Sequence, residues 1–284
     1  MKDPIINENN NDLIDAAKLY IPSAYGGFKR RHLWQDIEIF CQFLGYPRSG
    51  HSLVGALLNA HPNIVMSHES DALKYVYAGF TKYQVYDLIF RKAIVSAEKD
   101  YNLGGYNYHV PNQWQGRIKK LKVIGDKKGA RTTLRIGASS RYISRLRIIL
   151  NNRLKFIHVV RNPFDNITTI SRKSRKLKES LELSIENYFY LCKIINDFKA
   201  TLKPEELIEF KHEDFIENPQ LHLKKLCHFL EVEAPIDYLN DCANIVYESP
   251  HRSRDRVSWS PEQIEFVMTQ INKFSFLQGY SYYD

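Results

Sequence analysis

Long apolar runs are missing from this 284-residue chain: no uninterrupted hydrophobic stretch approaches the roughly 20 residues a helix needs to cross a bilayer. Cysteine is scarce. Cys41, Cys192, Cys227 and Cys242 lie far apart without metal-type pairing, which argues against a disulfide framework and casts them as small buried hydrophobes in a reducing, cytoplasmic setting. His109, His158 and His212 likewise lack partners at metal-ligand spacing, so no metal site is expected. No internal repeat, proline-rich linker or low-complexity block divides the chain. The polar, asparagine-rich Met1 to Asn11 has neither the basic start nor the apolar core of a secretory signal and is expected to fray. These absences leave an N-terminal extension over residues 1–30, partly flexible, and a single domain over 31–284.

What is present is an ordinary soluble composition with a formal charge of +8, which favours anionic ligands without choosing among them. Basic residues concentrate in Arg141 to Arg153 and at Arg172, Lys173, Arg175, Lys176 and Lys178, both expected as solvated helix faces. Short apolar runs predict strands over Glu38 to Leu44, Leu121 to Ile124, Phe156 to Val160 and Leu207 to Phe210. Helical spacing covers Ser52 to Asn59, Ser180 to Lys199 and Gln220 to Leu230, and Ser260-Pro261-Glu262-Gln263 opens a further helix with capping-box chemistry. Continuous apolar strands separated by helices indicate an α/β fold, a central parallel sheet with helices on both faces.

The most informative segment is Gly45-Tyr46-Pro47-Arg48-Ser49-Gly50-His51-Ser52, a glycine-bounded loop between a strand and a helix. Glycines let successive backbone N–H groups converge, and the helix start adds partial positive charge, so the loop is an oxyanion site. Gly45 and Gly50 have the spacing of triphosphate-binding loops, but His51 stands where the phosphate-reaching lysine belongs, and the loop's cation is Arg48. A second anion site follows the strand Phe156 to Val160. A magnesium-dependent enzyme places an aspartate at such a strand tip; here it is Arg161, a planar fork of donors. Thr169 lies eight residues on, and a helix from Asp165 returns its hydroxyl toward that edge, with Ser171 less direct. The structural alternative pairs Arg161 with Asp165.

Two anion sites in one α/β domain suit a nucleoside with phosphates at both ends. The loop Tyr46 to Ser52 together with Val160-Arg161-Asn162-Pro163 through Thr169 resembles the sulfotransferases that use 3′-phosphoadenosine 5′-phosphosulfate, a family of P-loop fold. The resemblance implies that Pro47, Arg48, Ser49, Gly50, His51 and Ser52 hold the 5′-phosphosulfate and that Arg161 and Thr169 hold the 3′-phosphate. Asn59-Ala60-His61-Pro62-Asn63 followed by Ser67-His68-Glu69 looks like the tyrosylprotein-type branch, whose catalytic-base glutamate falls on Glu69. Gly125-Asp126-Lys127 is similar to a stretch whose lysine lines the active site, and Glu213 to Leu230 resembles a packing segment. The late arginine and glycine loop of the family is matched only by Arg252 to Arg256, from which Arg254 is carried over. His51 replaces the family's usual threonine, so that one hydroxyl contact to the 5′-phosphate is either lost or exchanged for an imidazole contact, and Thr169 replaces the commoner serine, which keeps the hydroxyl.

The implied activity is metal-independent, in-line sulfuryl transfer to an acceptor hydroxyl. Arg48 and the loop N–H groups stabilise the charge, Lys127 assists, and Glu69 is the base with His68 as rival. His61 is expected to end the loop helix. Tyr75, Tyr77, Phe80, Tyr83 and Tyr86 line an acceptor pocket or belong to the core. The acceptor, whether small molecule, sugar or peptide, is not legible, and no nucleic-acid partner is expected. The alternatives are a magnesium-dependent phosphotransferase and a noncatalytic polyanion binder, the latter supported only by net charge.

Overall fold

The computed structural model, which describes residues 4–99, 101–103, 105–173 and 180–284, opens with helix α1 (Pro4–Lys29). There follow β1 (Ile39–Leu44), α2 (His51–Asn59), β2 (Ile64–His68), α3 (Ala72–Tyr77) and α4 (Lys82–Glu98). A short hairpin, β3 (Asn102–Leu103) and β4 (Tyr106–Asn107), leads to β5 (Val123–Lys127), α5 (Gly129–Ala138), α6 (Arg141–Leu150) and β6 (Arg153–Val160). Next come α7 (Pro163–Lys173), α8 (Leu181–Lys199), β7 (Leu207–Lys211), α9 (His212–Glu217), α10 (Pro219–Phe229), α11 (Ile236–Asn244) and α12 (Pro261–Ile271).

Five strands pair in parallel in the order β2-β5-β1-β6-β7. The central strand β1 is buried along its whole length. Its side chains alternate: Phe40 and Leu44 join Trp34, Val76, Tyr86 and Phe156 on one face, while Ile39, Cys41 and Phe43 join Leu57, Ile157, Leu226 and Tyr238 on the other. That two-sided burial is why the strand reads as an apolar run broken only by Gln42. Gln42 is tolerated inside because its amide donates to the Asp126 carbonyl and to Thr132 Oγ1. The α/β architecture with helices on both faces thus agrees with the expectation.

One strand is added to the expected elements, and two other segments take a definite form. β2 was not anticipated, because five residues directly after the His61-Pro62 break are too few to display a period. Helix α1 runs from Pro4, within the segment expected to fray, and its later turns pack on α4 through Ala16, Ser23, Gly26 and Gly27. Tyr75, Phe80 and Tyr86 are core, at most 9% exposed, leaving only Tyr77 and Tyr83 of that cluster at the surface. Among the basic residues singled out above, Arg175, Lys176 and Lys178 lie outside the described residues. The capping box at Ser260 forms, Ser260 accepting from the Gln263 amide. All four cysteines are free and buried.

Parallel strands bring their carboxyl ends to one edge. Gly45 follows β1, Glu69 follows β2, Lys128 follows β5, Arg161 follows β6 and His212 follows β7. The candidate residues therefore meet by topology rather than by proximity in the chain.

Candidate active site

The loop after β1 is built for an anion. Gly45 (φ 134°) and Gly50 (φ 96°) hold left-handed backbone, and Arg48 does so without being glycine (φ 68°), a conformation costing about 1–2 kcal/mol. Thr133 braces the loop, accepting from the Gly45 amide at 3.1 Å and donating to its carbonyl at 2.9 Å. Gly50 is the N-cap of α2 and offers no side chain, so no side chain caps the first amides of that helix. Pro47 and Arg48 are exposed at the rim and Ser49 is buried beneath them.

His51 faces the protein. Its ring lies 3.1 Å from Ser49 Oγ, edge-on to Phe43, in a slot where a Cβ on Gly45 or Gly129 would come within 2.6 Å of it. Burial, then Lys127 and His158, push the imidazole well below its ordinary range. Of the two alternatives for the threonine position, the inward ring favours loss of the side-chain contact over its exchange for an imidazole one, leaving the residue's backbone N–H at the helix start. His212 also sits under the loop, filling the space a side chain at Gly50 would need, and burial, then Arg161, lower it to about 3.

Lys127 is the hub. Its stem crosses α2 at Gly55, where a Cβ would lie 2.8 Å from its Cγ, so this glycine is required for space rather than for conformation. Its Nζ donates to Ser52 Oγ at 3.2 Å and to Glu69 Oε1 at 3.1 Å. Lys128, which the sequence reading did not single out, donates to Glu69 Oε2 at 3.0 Å. Burial alone would raise the Glu69 carboxyl, but the two ammonium groups more than offset it and hold it at about 2. His68, half-buried at the end of β2, has no hydrogen bond to its ring among the described residues; burial and Lys127 hold it at about 4.

The turn carrying Glu69 is strained and pinned. Glu69 and Asp71 both have left-handed backbone (φ 61° and 63°). Asp126, fully buried, accepts from Ser67 Oγ at 2.9 Å, the Ser70 amide at 2.8 Å and the Ala72 amide at 3.0 Å, while Asp71 forms a two-point pair with Arg135 at 2.9 and 2.7 Å. Such conformations persist when surrounding bonds over-determine them. Asp126→Asn, with one acceptor oxygen for these donors, is expected to cost about 1–3 kcal/mol. It would appear as a lower midpoint in denaturant, together with lost hydrogen-exchange protection at the Ser70 and Ala72 amides.

Arg161 is buried and stitches the loop to the far wall, donating to the Arg48 carbonyl at 3.1 Å, the His251 carbonyl at 2.8 Å and Ser253 Oγ at 3.2 Å. Asp165, considered as its partner, instead pairs with Arg254. Arg254 is turned inward: it is 3% exposed, bonds both Asp165 oxygens at 3.1 and 2.7 Å, and donates to the Ser281 and Tyr282 carbonyls. As built it clasps α7 to the chain's end rather than facing the loop. Thr169 Oγ1 donates to the Asp165 carbonyl within α7 at 2.8 Å. His61 is structural: its Nε2 lies 2.8 Å from the Glu233 carbonyl and its Nδ1 accepts from the Asn63 amide.

Loop, Lys127, Lys128, Glu69 and Arg161 thus form a cationic cradle with one carboxylate at its edge, able to hold an anion and accept a proton beside it. The family model described as "Sulfotransferase family" matches residues 42–235, which span the loop, Glu69, Lys127 and Arg161. No curated protein matches the chain in sequence. Among solved structures, the chain is similar to a sulfotransferase from Mycobacterium avium at TM-score 0.54 and 10% identity, over 95% of this chain and 85% of that one. It is also similar to a sulfotransferase from Alicyclobacillus acidocaldarius at TM-score 0.51 and 12% identity, over 86% and 96% of the two chains. The sulfotransferase domain of an olefin synthase from Synechococcus PCC 7002 matches at TM-score 0.50 and 16% identity, over 82% and 94%. At these identities the likeness speaks to the fold; the family rests on the sequence match.

Proposed function

This chain belongs to the sulfotransferase family and is an enzyme of that class, and we propose that it moves a sulfuryl group from 3′-phosphoadenosine 5′-phosphosulfate to an acceptor hydroxyl without a metal, with Glu69 as base. The observation that carries this reading is the Ser52–Lys127–Glu69 chain of contacts, which couples the anion loop to the one carboxylate beside it. The donor supplies an activated sulfuryl group on a phosphate leaving group. Arg48, the amides at the start of α2 and Lys127 provide the positive charge that a divalent ion provides in triphosphate-dependent enzymes. Arg161, at the tip of β6, is the candidate for the donor's other phosphate, with Thr169.

Glu69 at about 2 is a poor base in the resting arrangement. Lys127, turning toward added negative charge at the loop, would release its bond to the carboxylate, and Glu69 would regain basicity as the site fills. His68 remains the rival base: burial and Lys127 hold its imidazole at about 4, and what sets Glu69 ahead of it is not basicity but the bond from Lys127 that ties Glu69 to the loop.

The test is calorimetric titration with adenosine 3′,5′-bisphosphate in chelator, beside ATP with magnesium. Metal-free binding is expected for the bisphosphate. Charge-assisted hydrogen bonds are worth about 1.5–3 kcal/mol, so Arg48→Ala and Arg161→Ala should each weaken binding roughly 10- to 150-fold. Binding of ATP with magnesium alone would overturn the reading in favour of phosphoryl transfer.

A further inference from the structure

The outer face of α1 carries four large apolar side chains that take no part in the chain's own core: Ile14 is 56% exposed, Ile21 78%, Tyr25 69% and Phe28 65%. Their spacing puts them on one stripe, about 21 Å long at ~1.5 Å of rise per residue. The helix beneath is fixed. Gly26 and Gly27 let it approach α4 so closely that a Cβ would lie 2.4 Å from the Asp87 carboxylate or 2.6 Å from the Tyr83 carbonyl. Trp34 Nε1 donates to the Gly27 carbonyl at 3.0 Å, and Arg30 pairs with the fully buried Asp87. A rigid helix that holds out a contiguous apolar stripe has the character of an interaction surface.

The stripe is complementary to its own reverse. Ile14 precedes Ile21 by as many residues as Phe28 follows it, and Ala17 precedes it by as many as Tyr25 follows it. Reversal about Ile21 therefore sets Ile14 against Phe28, the small Ala17 against Tyr25, and Ile21 against its twin. Size agrees with this direction: an antiparallel copy sets Tyr25 over the small Ala17, whereas a parallel one sets Tyr25 on Tyr25 and Phe28 on Phe28. Asp15 is paired with Lys18 and Arg30 with Asp87, so these charges are answered within each copy. Fully covering the four side chains buries on the order of 500 Å² per copy, about 1,000 Å² in all, at the threshold for a specific interface.

We propose that the protein forms a two-fold homodimer in which α1 of each copy packs antiparallel on the other, crossing at Ile21. The four native cysteines are buried, so an engineered surface thiol reports without interference. Helices packed at ~8–10 Å bring facing residues within disulfide reach. Ile21→Cys is expected to give a covalent dimer on mild oxidation. Ile14→Cys alone should not, but mixed with Phe28→Cys it should form the heterodimer. Ile21→Asp is expected to convert a concentration-dependent dimer to monomer in sedimentation velocity with its circular dichroism spectrum unchanged, since this side chain is 78% exposed within its own copy. The proposal is overturned if the wild type is monomeric up to about 100 μM, where even an affinity of ~10 μM would show. It is equally overturned if Ile14→Cys cross-links to itself, the signature of a parallel pair, or if the wild type stays monomeric and binds anionic phosphatidylserine vesicles in an Ile21-dependent way.

Discussion

Replacing Glu69 with glutamine is expected to lower kcat by about 10²- to 10⁴-fold, or ~2.7–5.5 kcal/mol in the barrier, which is the usual contribution of a placed general base. The amide keeps the size of the side chain, but with one acceptor oxygen it can keep the bond from Lys127 or the one from Lys128 and not both, and it cannot take a proton. Affinity for adenosine 3′,5′-bisphosphate should hold or rise in the same variant. Glu69 is the negative charge within 3.1 Å of both ammonium groups, and its removal leaves the cradle more positive. Steady-state kinetics beside calorimetry would check both halves. A kcat within a factor of a few of wild type would remove Glu69 from the reaction, and His68→Gln would then be the decisive variant.

Lys127→Met is the second large effect. Loss of one pre-set donor at a site of developing negative charge costs about 10²- to 10³-fold in kcat. The apolar stem can still cross Gly55, so a rate loss would come from the charge and not from the packing. The pH profile separates this from simple damage. Glu69 is held at about 2 in part by Lys127, so removing that ammonium raises the carboxyl toward its ordinary range. The acid limb of kcat/KM, which reports the free enzyme, must then move to higher pH. At the other end, burial lowers the Lys127 ammonium itself against the pull of Glu69, and any basic limb due to its deprotonation should vanish. A uniform fall in rate with both limbs in place would mean that Lys127 neither tunes Glu69 nor titrates in the reaction.

Much of the site was legible because single segments encode it. A glycine-bounded turn between a buried strand and a helix specifies an anion loop from local backbone chemistry alone, and Arg161 directly after an apolar strand places a guanidinium at a sheet edge. What escaped was the set of partners. Lys128 carries no signal of its own in the sequence, yet it grips Glu69 across 59 positions, and Asp126 pins the Glu69 turn from 54 to 59 positions away. No periodicity reports such distances. The side chains of Arg254 and His51 show the opposite case: each sits where the resemblance puts it in the chain, but one is paired with buried Asp165 and the other fills a slot left by Gly45 and Gly129.

By itself the sequence determined the α/β class, the strand–loop–helix order around Gly45 to Ser52 and the edge at which the candidate residues gather, since strand, turn and helix signals are local and parallel strands end on one side. Only the tertiary structure decided which charges meet. Placing β5 between β1 and β2 sets Lys127 and Lys128 beside Glu69, and burial then determines which side chains face the anion and which are held in the core.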